Sequence, residues 1–322
     1  MAVDNGRVLI TTYTDENQRH IVHRIEQKVG VVPKHITIMG WFSFLITQCA
    51  KPYQRALTGH PFMIGGLNFI GQRNRFTKKS DLQYFVDGNA DLYRDGVSDF
   101  AIQLNAKTNG AVVERLERIY SYLIIDEVQD LAGYDLDVLD LLLSSRINLM
   151  VVGDPRQHTF STNLGPRNKS YCGAGLVRWF SKRKDQCTLE SRNYSYRCNQ
   201  AICDFADTLF PDLPPTISRD VPETGHDGVF TLPANLLRDY LRDHGPVTAL
   251  RYDKNADTLS LPAMNIGVAK GSTHDRVIIF PTKPMLVYLA DGDTSKLKTP
   301  EKLYVAVTRA RFSVAFVVPD TW

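Results

Sequence analysis

The chain has 322 residues, 43% of them apolar, and a formal net charge of +3, enough for about two domains with a core each. No stretch reaches the roughly 18 to 20 uncharged apolar residues of a membrane helix, and the opening MAVDNGRVLI lacks the layout of a secretion signal, so no membrane span and a cytoplasmic location are expected. Five cysteines (Cys49, Cys172, Cys187, Cys198, Cys203), odd in number and without a CxxC pair, argue against a disulfide framework or a zinc site.

In chain order, short β-branched apolar runs recur with helical patterns between them: RVLITTY (7–13), ITIM (36–39), YLIID (122–126), NLMVVGD (148–154), VTAL (247–250), RVIIF (276–280) and SVAFVV (313–318). Continuous apolar strands alternating with helices predict an α/β fold whose parallel sheets are covered on both faces. Helices are predicted over 134–145 and 199–210, the latter with Ile202, Phe205, Ala206 and Leu209 on one face. Residues 45–115, rich in Gly, Asn and aromatics, read as an insertion, and the proline-rich stretch 211–230 reads as a loop. The expected division is 1–175 and 176–322. The basic clusters Arg73, Arg75, Lys78, Lys79 and Arg178, Lys182, Arg183, Lys184 read as solvated faces, and the mild net charge permits nucleic acid without requiring it.

The strongest local signal is YLIIDEVQD (122–130). An apolar strand ending in Asp-Glu delivers two carboxylates to the carboxyl edge of a parallel sheet, where open α/β folds bind ligands. Asp126 is the candidate ligand for Mg²⁺, a hard ion that shares oxygen ligands with phosphates, and Glu127 is placed to orient or deprotonate an attacking water. VVGDPRQHTF (151–160) puts Asp154 and Gln157 on the same edge.

With these segments in this order, the chain resembles the superfamily 1 DNA helicases of the UvrD/Rep/PcrA type. The likeness rests on Asp126 to Asp130, on Gly153 to Gln157 with Phe160, on Tyr196-Arg197 with Asn199 and Ile202, on Tyr304 to Arg311, and on LITTYTDENQ (9–18) and ITIMGWFSF (36–44). It implies two RecA-like lobes and an ATP-driven, 3′ to 5′ translocase on single-stranded DNA with ATP and Mg²⁺ as cofactors. It further implies that Tyr196 stacks on the adenine, that Arg197 and Arg309 approach the γ-phosphate, and that Gln157 senses that phosphate. Asp154, Lys270 and Gly271 fall in its nucleotide-binding motifs. Thr12, Thr14, Trp41, Phe42 and Phe160 stand where the family touches single-stranded DNA.

Three departures qualify the resemblance. No Gly-Lys dipeptide exists in the sequence, so the G-x-x-x-x-G-K-[ST] phosphate loop is missing and impaired activity is expected of this chain alone. A start at an internal methionine, which leaves the first lobe incomplete and the YLIID strand with a bare edge, is favoured over a natural form without ATPase activity, because Asp126, Glu127, Arg197 and Arg309 are retained. Lys270-Gly271-Ser272-Thr273 carries Thr273 where the family has a ribose-contacting glutamate. The short interval between Arg197 and Lys270 leaves no room for the family's large second-lobe insertion, as in the helicase component of Gabija antiphage systems. The alternative is a non-catalytic DNA-binding or scaffold subunit of a nuclease-containing repair or defence complex.

Overall fold

The computed structural model describes residues 6–58, 62–74 and 76–322; Arg75 of the first basic cluster lies outside them. The chain forms two compact units, the first of residues 1–155 and 160–189, the second of residues 156–159 and 190–322. The sequence places its division after residue 175; the compact units divide after Leu189.

In the first unit, β1 (Val8–Thr12), β2 (Ile36–Gly40), β3 (Tyr122–Ile125) and β4 (Asn148–Val151) form a sheet in the order β2-β1-β3-β4, parallel throughout. Helix α1 (Asp15–Val29) follows β1, with Thr14 as its N-cap accepting from the Asn17 amide at 3.2 Å, the usual satisfaction of a first-turn donor. Helices α2 (Val97–Lys107), α3 (Ala111–Ile119) and α4 (Asp135–Leu143) belong to the same unit. The β3 strand is flanked by β1 and β4 rather than left with a bare edge; the open edges belong to β2 and β4.

The two faces of this sheet are unequal. Leu9, Leu123 and Ile125 are buried, whereas Ile10 and Ile124 are half-buried and Met150, in register with them, is 55% exposed. Coverage on both faces, expected from the apolar runs, is therefore partial here. Residues 45–115 are not a separate body: Leu45, Phe85, Phe100 and Leu104 are buried in the same core as β1 and β3.

Trp41 belongs to that core, which corrects its expected place against DNA. It is 1% exposed, and its indole Nε1 donates to Asp135 Oδ1 at 2.9 Å. Asp135, itself 1% exposed, also accepts from the hydroxyls of Ser98 and Thr162 and from the Ala132 amide. Burial raises its pKa against the pull of these donors, as desolvation of a carboxylate must. Phe42 is 8% exposed, edge-on to Tyr13 and Phe69 with centroids 6.0 and 5.7 Å apart.

In the second unit, α5 (Gln200–Asp207) precedes β5 (Gly228–Pro233), α6 (Leu237–His244), β6 (Thr248–Arg251), β7 (Met264–Asn265), β8 (His274–Phe280), α7 (Lys283–Asp291), α8 (Pro300–Val307) and β9 (Ala310–Val318). The sheet runs β7-β6-β8-β9-β5, all parallel. Both faces are covered: Val277, Ile279, Val314 and Phe316 pack into one cluster with Ile202 and Leu303, and Ile278, Phe280, Ala315 and Val317 into another with Leu237 and Tyr240. That two-sided burial explains the uninterrupted apolar runs of β8 and β9. The strand β5 was not foreseen, since it begins inside the stretch read as a loop. No helix among the described residues is long and apolar enough to cross a membrane.

Two outcomes follow from packing. Trp41→Phe removes one donor from a buried carboxylate and lowers stability by about 1–3 kcal/mol, measurable as a shifted urea midpoint. The His226 ring stacks on His244 with centroids 3.7 Å apart and meets the Tyr240 hydroxyl at 3.0 Å; burial, then His244 and Arg276, hold its pKa below 6.5, opposed by Asp227. Its contribution is complete above pH 6.5 and lost as the pH falls through its lowered native value, so the melting temperature drops from about pH 7.5 to about pH 5, and drops less in His226→Phe.

Candidate functional site

The first unit's site is built where β3 and β4 end. The Asp126 amide donates to the Thr11 carbonyl at 2.8 Å and the Val128 amide to the Val152 carbonyl at 3.0 Å, so the chain leaves the sheet while still tied to both neighbours. Glu127 sits between these ties in the left-handed region, φ 58° and ψ 39°, a conformation that costs a non-glycine residue roughly 1–2 kcal/mol. Strain of this kind is retained where surroundings over-determine it. Here the surroundings are Gln129, 1% exposed, whose amide nitrogen donates to Glu127 Oε2 while its carbonyl oxygen accepts from the Asp154 amide at 3.2 Å. One buried side chain thus holds the Glu127 carboxylate and the turn after β4. Gly153 is required beside it, because a Cβ there would collide with Gln129 Oε1 and stand 3.1 Å from the Val128 amide nitrogen.

Among the expected nucleic-acid residues of this unit, Thr12 is 1% exposed and its hydroxyl faces the Asn17 side-chain amide at 3.5 Å; like Trp41 and Phe42 it is turned inward. Thr14 is half-buried and Phe160 is 42% exposed, leaving both accessible.

In the second unit Arg197 and Arg309 converge on Thr308. Arg197 donates to the Thr308 carbonyl at 3.2 Å. Arg309 donates to Thr308 Oγ1 at 3.3 Å, to the Val305 carbonyl at 3.1 Å, to the Ser272 carbonyl at 3.4 Å and to Gln157 Oε1 at 3.2 Å. It is 1% exposed, so this guanidinium is a buried, multiply bonded group and not a surface charge. Gln157 belongs to this unit together with Arg156, whose guanidinium pairs with Asp207 at 3.1 Å. Lys270 is buried, and Gly271 beside it takes φ 88°, which favours glycine there. Tyr196 is 65% exposed.

The positive field of this cluster is felt by its neighbours. The Cys198 thiol is drawn down to about 7 by its hydrogen bond with Cys203 and, against burial, by Arg197 and Arg309. His274, bonded to Ser272 Oγ at 2.8 Å, is held low by burial and then by the same two arginines. Sequence reasoning missed Gln129, Gly153 and Thr308 as positioning residues: Gln129 stood in view within DEVQD, but nothing in one sequence tells that its side chain turns inward.

The profile of the viral superfamily 1 RNA helicase core domain matches residues 77–318, well over half of the chain. Among solved structures the chain is similar to the arterivirus nonstructural protein 10 helicase, at 15% identity over 97% of this chain and 53% of that one, TM-score 0.47. It is also similar to the PRRSV helicase (15%, 98% and 47%, TM-score 0.42) and to the arterivirus nonstructural protein 10 in complex with DNA (15%, 99% and 55%, TM-score 0.44). The chain spans about half the length of these proteins. Comparison with curated proteins finds no match. By the extent of the profile match, this chain belongs to the viral superfamily 1 RNA helicase core-domain family.

Proposed function

We propose that the chain carries the motor chemistry of a nucleoside-triphosphate-driven translocase on single-stranded nucleic acid. The observation that supports this most is the Asp126-Glu127 turn, two carboxylates at the carboxyl edge of a parallel sheet with one of them clasped by a buried glutamine. Asp126 offers a hard oxygen donor of the kind Mg²⁺ takes. No three His, Cys, Asp or Glu side chains converge among the described residues, so phosphate and water would complete the shell, as Mg²⁺ prefers. When bound, the ion neutralises phosphate charge. Glu127, held by Gln129, orients or deprotonates the attacking water.

In the second unit, half-buried Arg197 supplies permanent charge for phosphate oxygens, buried Arg309 adds its positive field, and the exposed ring of Tyr196 suits stacking on the base. Lys270 and Gly271 serve nucleotide contacts in this unit, and Asp154 serves them in the first. Gln157, bonded to Arg309, is the sensor that links phosphate loss to that arginine. Thr14 and Phe160 serve the nucleic acid, one by its hydroxyl and one by its ring; Thr12, Trp41 and Phe42 drop from that role because they are buried. The UvrD/Rep/PcrA resemblance favours DNA as the track, 3′ to 5′ movement and ATP as fuel; the family's description favours RNA.

The alternative reading is a nucleic-acid-binding or scaffold subunit that works with a nuclease. Hydrolysis of ATP separates the two. With Mg²⁺ and oligo-dT or oligo-rU, the motor reading expects stimulated phosphate release that falls at least about 100-fold in Glu127→Gln, the lower range for loss of a general base, with nucleic-acid binding retained. The polymer that stimulates more names the track. Binding without any hydrolysis in the unaltered chain would favour the scaffold.

A further inference from the structure

Residues 62–80 contain four cations, Arg73, Arg75, Lys78 and Lys79, and no carboxylate. Within the described part of this stretch, Phe69 is 57% exposed, Ile70 94% and Phe76 92%. Three large apolar side chains in one basic segment, all turned to water, form a patch of the kind that marks an interaction site.

The patch is held in place. Asn68 Oδ1 accepts from the amides of Ile70 and Gly71 at 3.1 and 2.6 Å, and Asn68 Nδ2 donates to Asp87 Oδ2 at 2.7 Å. A Cβ on Gly71 would collide with the Asn68 side chain, so the glycine permits this tight turn. A second turn is closed by Asn74, whose Oδ1 accepts from the Phe76 amide at 3.0 Å. The Arg73 guanidinium lies 4.0 Å from the Tyr84 ring centroid.

The patch also leads back to the segment that follows β1. Phe69 packs edge-on to Phe42 at 5.7 Å, and Phe42 to Tyr13 at 6.0 Å; Tyr13 lies between Thr12 and Thr14. A ladder of rings therefore runs from the segment proposed to touch nucleic acid out to the exposed basic turns.

We infer that residues 67–74 and 76–78 form a stacking arm for single-stranded nucleic acid, in which Phe69 and Phe76 stack on bases while Arg73 and Lys78 neutralise phosphates. Ring faces accept any base, and cations follow the backbone without reading sequence, the combination used by non-specific single-strand binders. The absence of carboxylates from residues 62–80 supplies the charge complementarity. The inference rests on the proposed nucleic-acid function of this unit and extends it to residues outside the helicase motifs.

The test uses the full 322-residue chain and fluorescently labelled oligo-dT and oligo-rU, with thermal melting as a control for folding. Phe69→Ala and Phe76→Ala each weaken binding roughly 5- to 150-fold, the loss of one stacked base, and Lys78→Ala flattens the salt dependence by about 0.7 in the logarithmic slope. Phe76→Trp adds emission that quenches on binding, a local readout that general destabilisation would not give. Unchanged affinity in both alanine variants, with the unaltered chain still binding, overturns the arm and leaves the helicase reading standing. No binding by the unaltered chain overturns that reading and the arm with it. Binding of anionic phosphatidylserine vesicles that is lost in the alanine variants, while oligonucleotide binding is kept, overturns the arm in favour of a membrane contact.

Discussion

The account depends on one buried side chain. Gln129 joins the Glu127 carboxylate to the backbone after β4, and it does so where two parallel strands stop and their ladder no longer holds the chain. The clasp meets Glu127 in a left-handed conformation, between backbone ties at Asp126 and Val128, and helps to set the direction of its carboxylate. The glycine at 153 is part of the same constraint, since the clasp occupies the space of its Cβ. Local strain, a buried amide and a missing side chain form one device whose product is a carboxylate with a defined direction.

A comparable economy governs the second unit. Thr308 takes Arg197 on its carbonyl and Arg309 on its hydroxyl, which brings two guanidinium groups toward one residue despite their like charge. Their mutual repulsion is offset by carbonyl oxygens: Arg309 also reaches Val305 and Ser272. After the Cys203 hydrogen bond at Cys198 and burial at His274, the two arginines also lower the pKa of each. An anionic ligand meeting such a cluster replaces weak carbonyl acceptors by charged ones, and charge-assisted hydrogen bonds are roughly twice as strong as neutral ones.

The sequence carried the seven apolar strands because β8 and β9 are covered on both faces and β1 and β3 on at least one. It did not carry β5, which begins at Gly228 with φ 120° and ends at Pro233, residues that read as turn rather than strand. The helix expected over 199–210 was legible through its apolar face; it runs Gln200–Asp207, and its cap, Asn199 accepting from the Ile202 amide at 3.0 Å, was not read. The carboxylates were legible too, because a strand end is a local feature. Trp41 was not: an aromatic residue after a strand suits a base as well as a core, and the partner that decides, Asp135, lies 94 residues away. The exposed edge was assigned to β3 when β4 carries it, since strand order depends on pairings that no single segment encodes.

The central claim is that the Asp126-Glu127 turn is a nucleotide site and not merely a well-tied strand end. Titration calorimetry of the chain with ATP, with and without Mg²⁺, tests it most directly. The account predicts binding that requires Mg²⁺ and is lost in Asp126→Asn, a change that keeps the shape of the turn. Binding indifferent to both the ion and that substitution would contradict it.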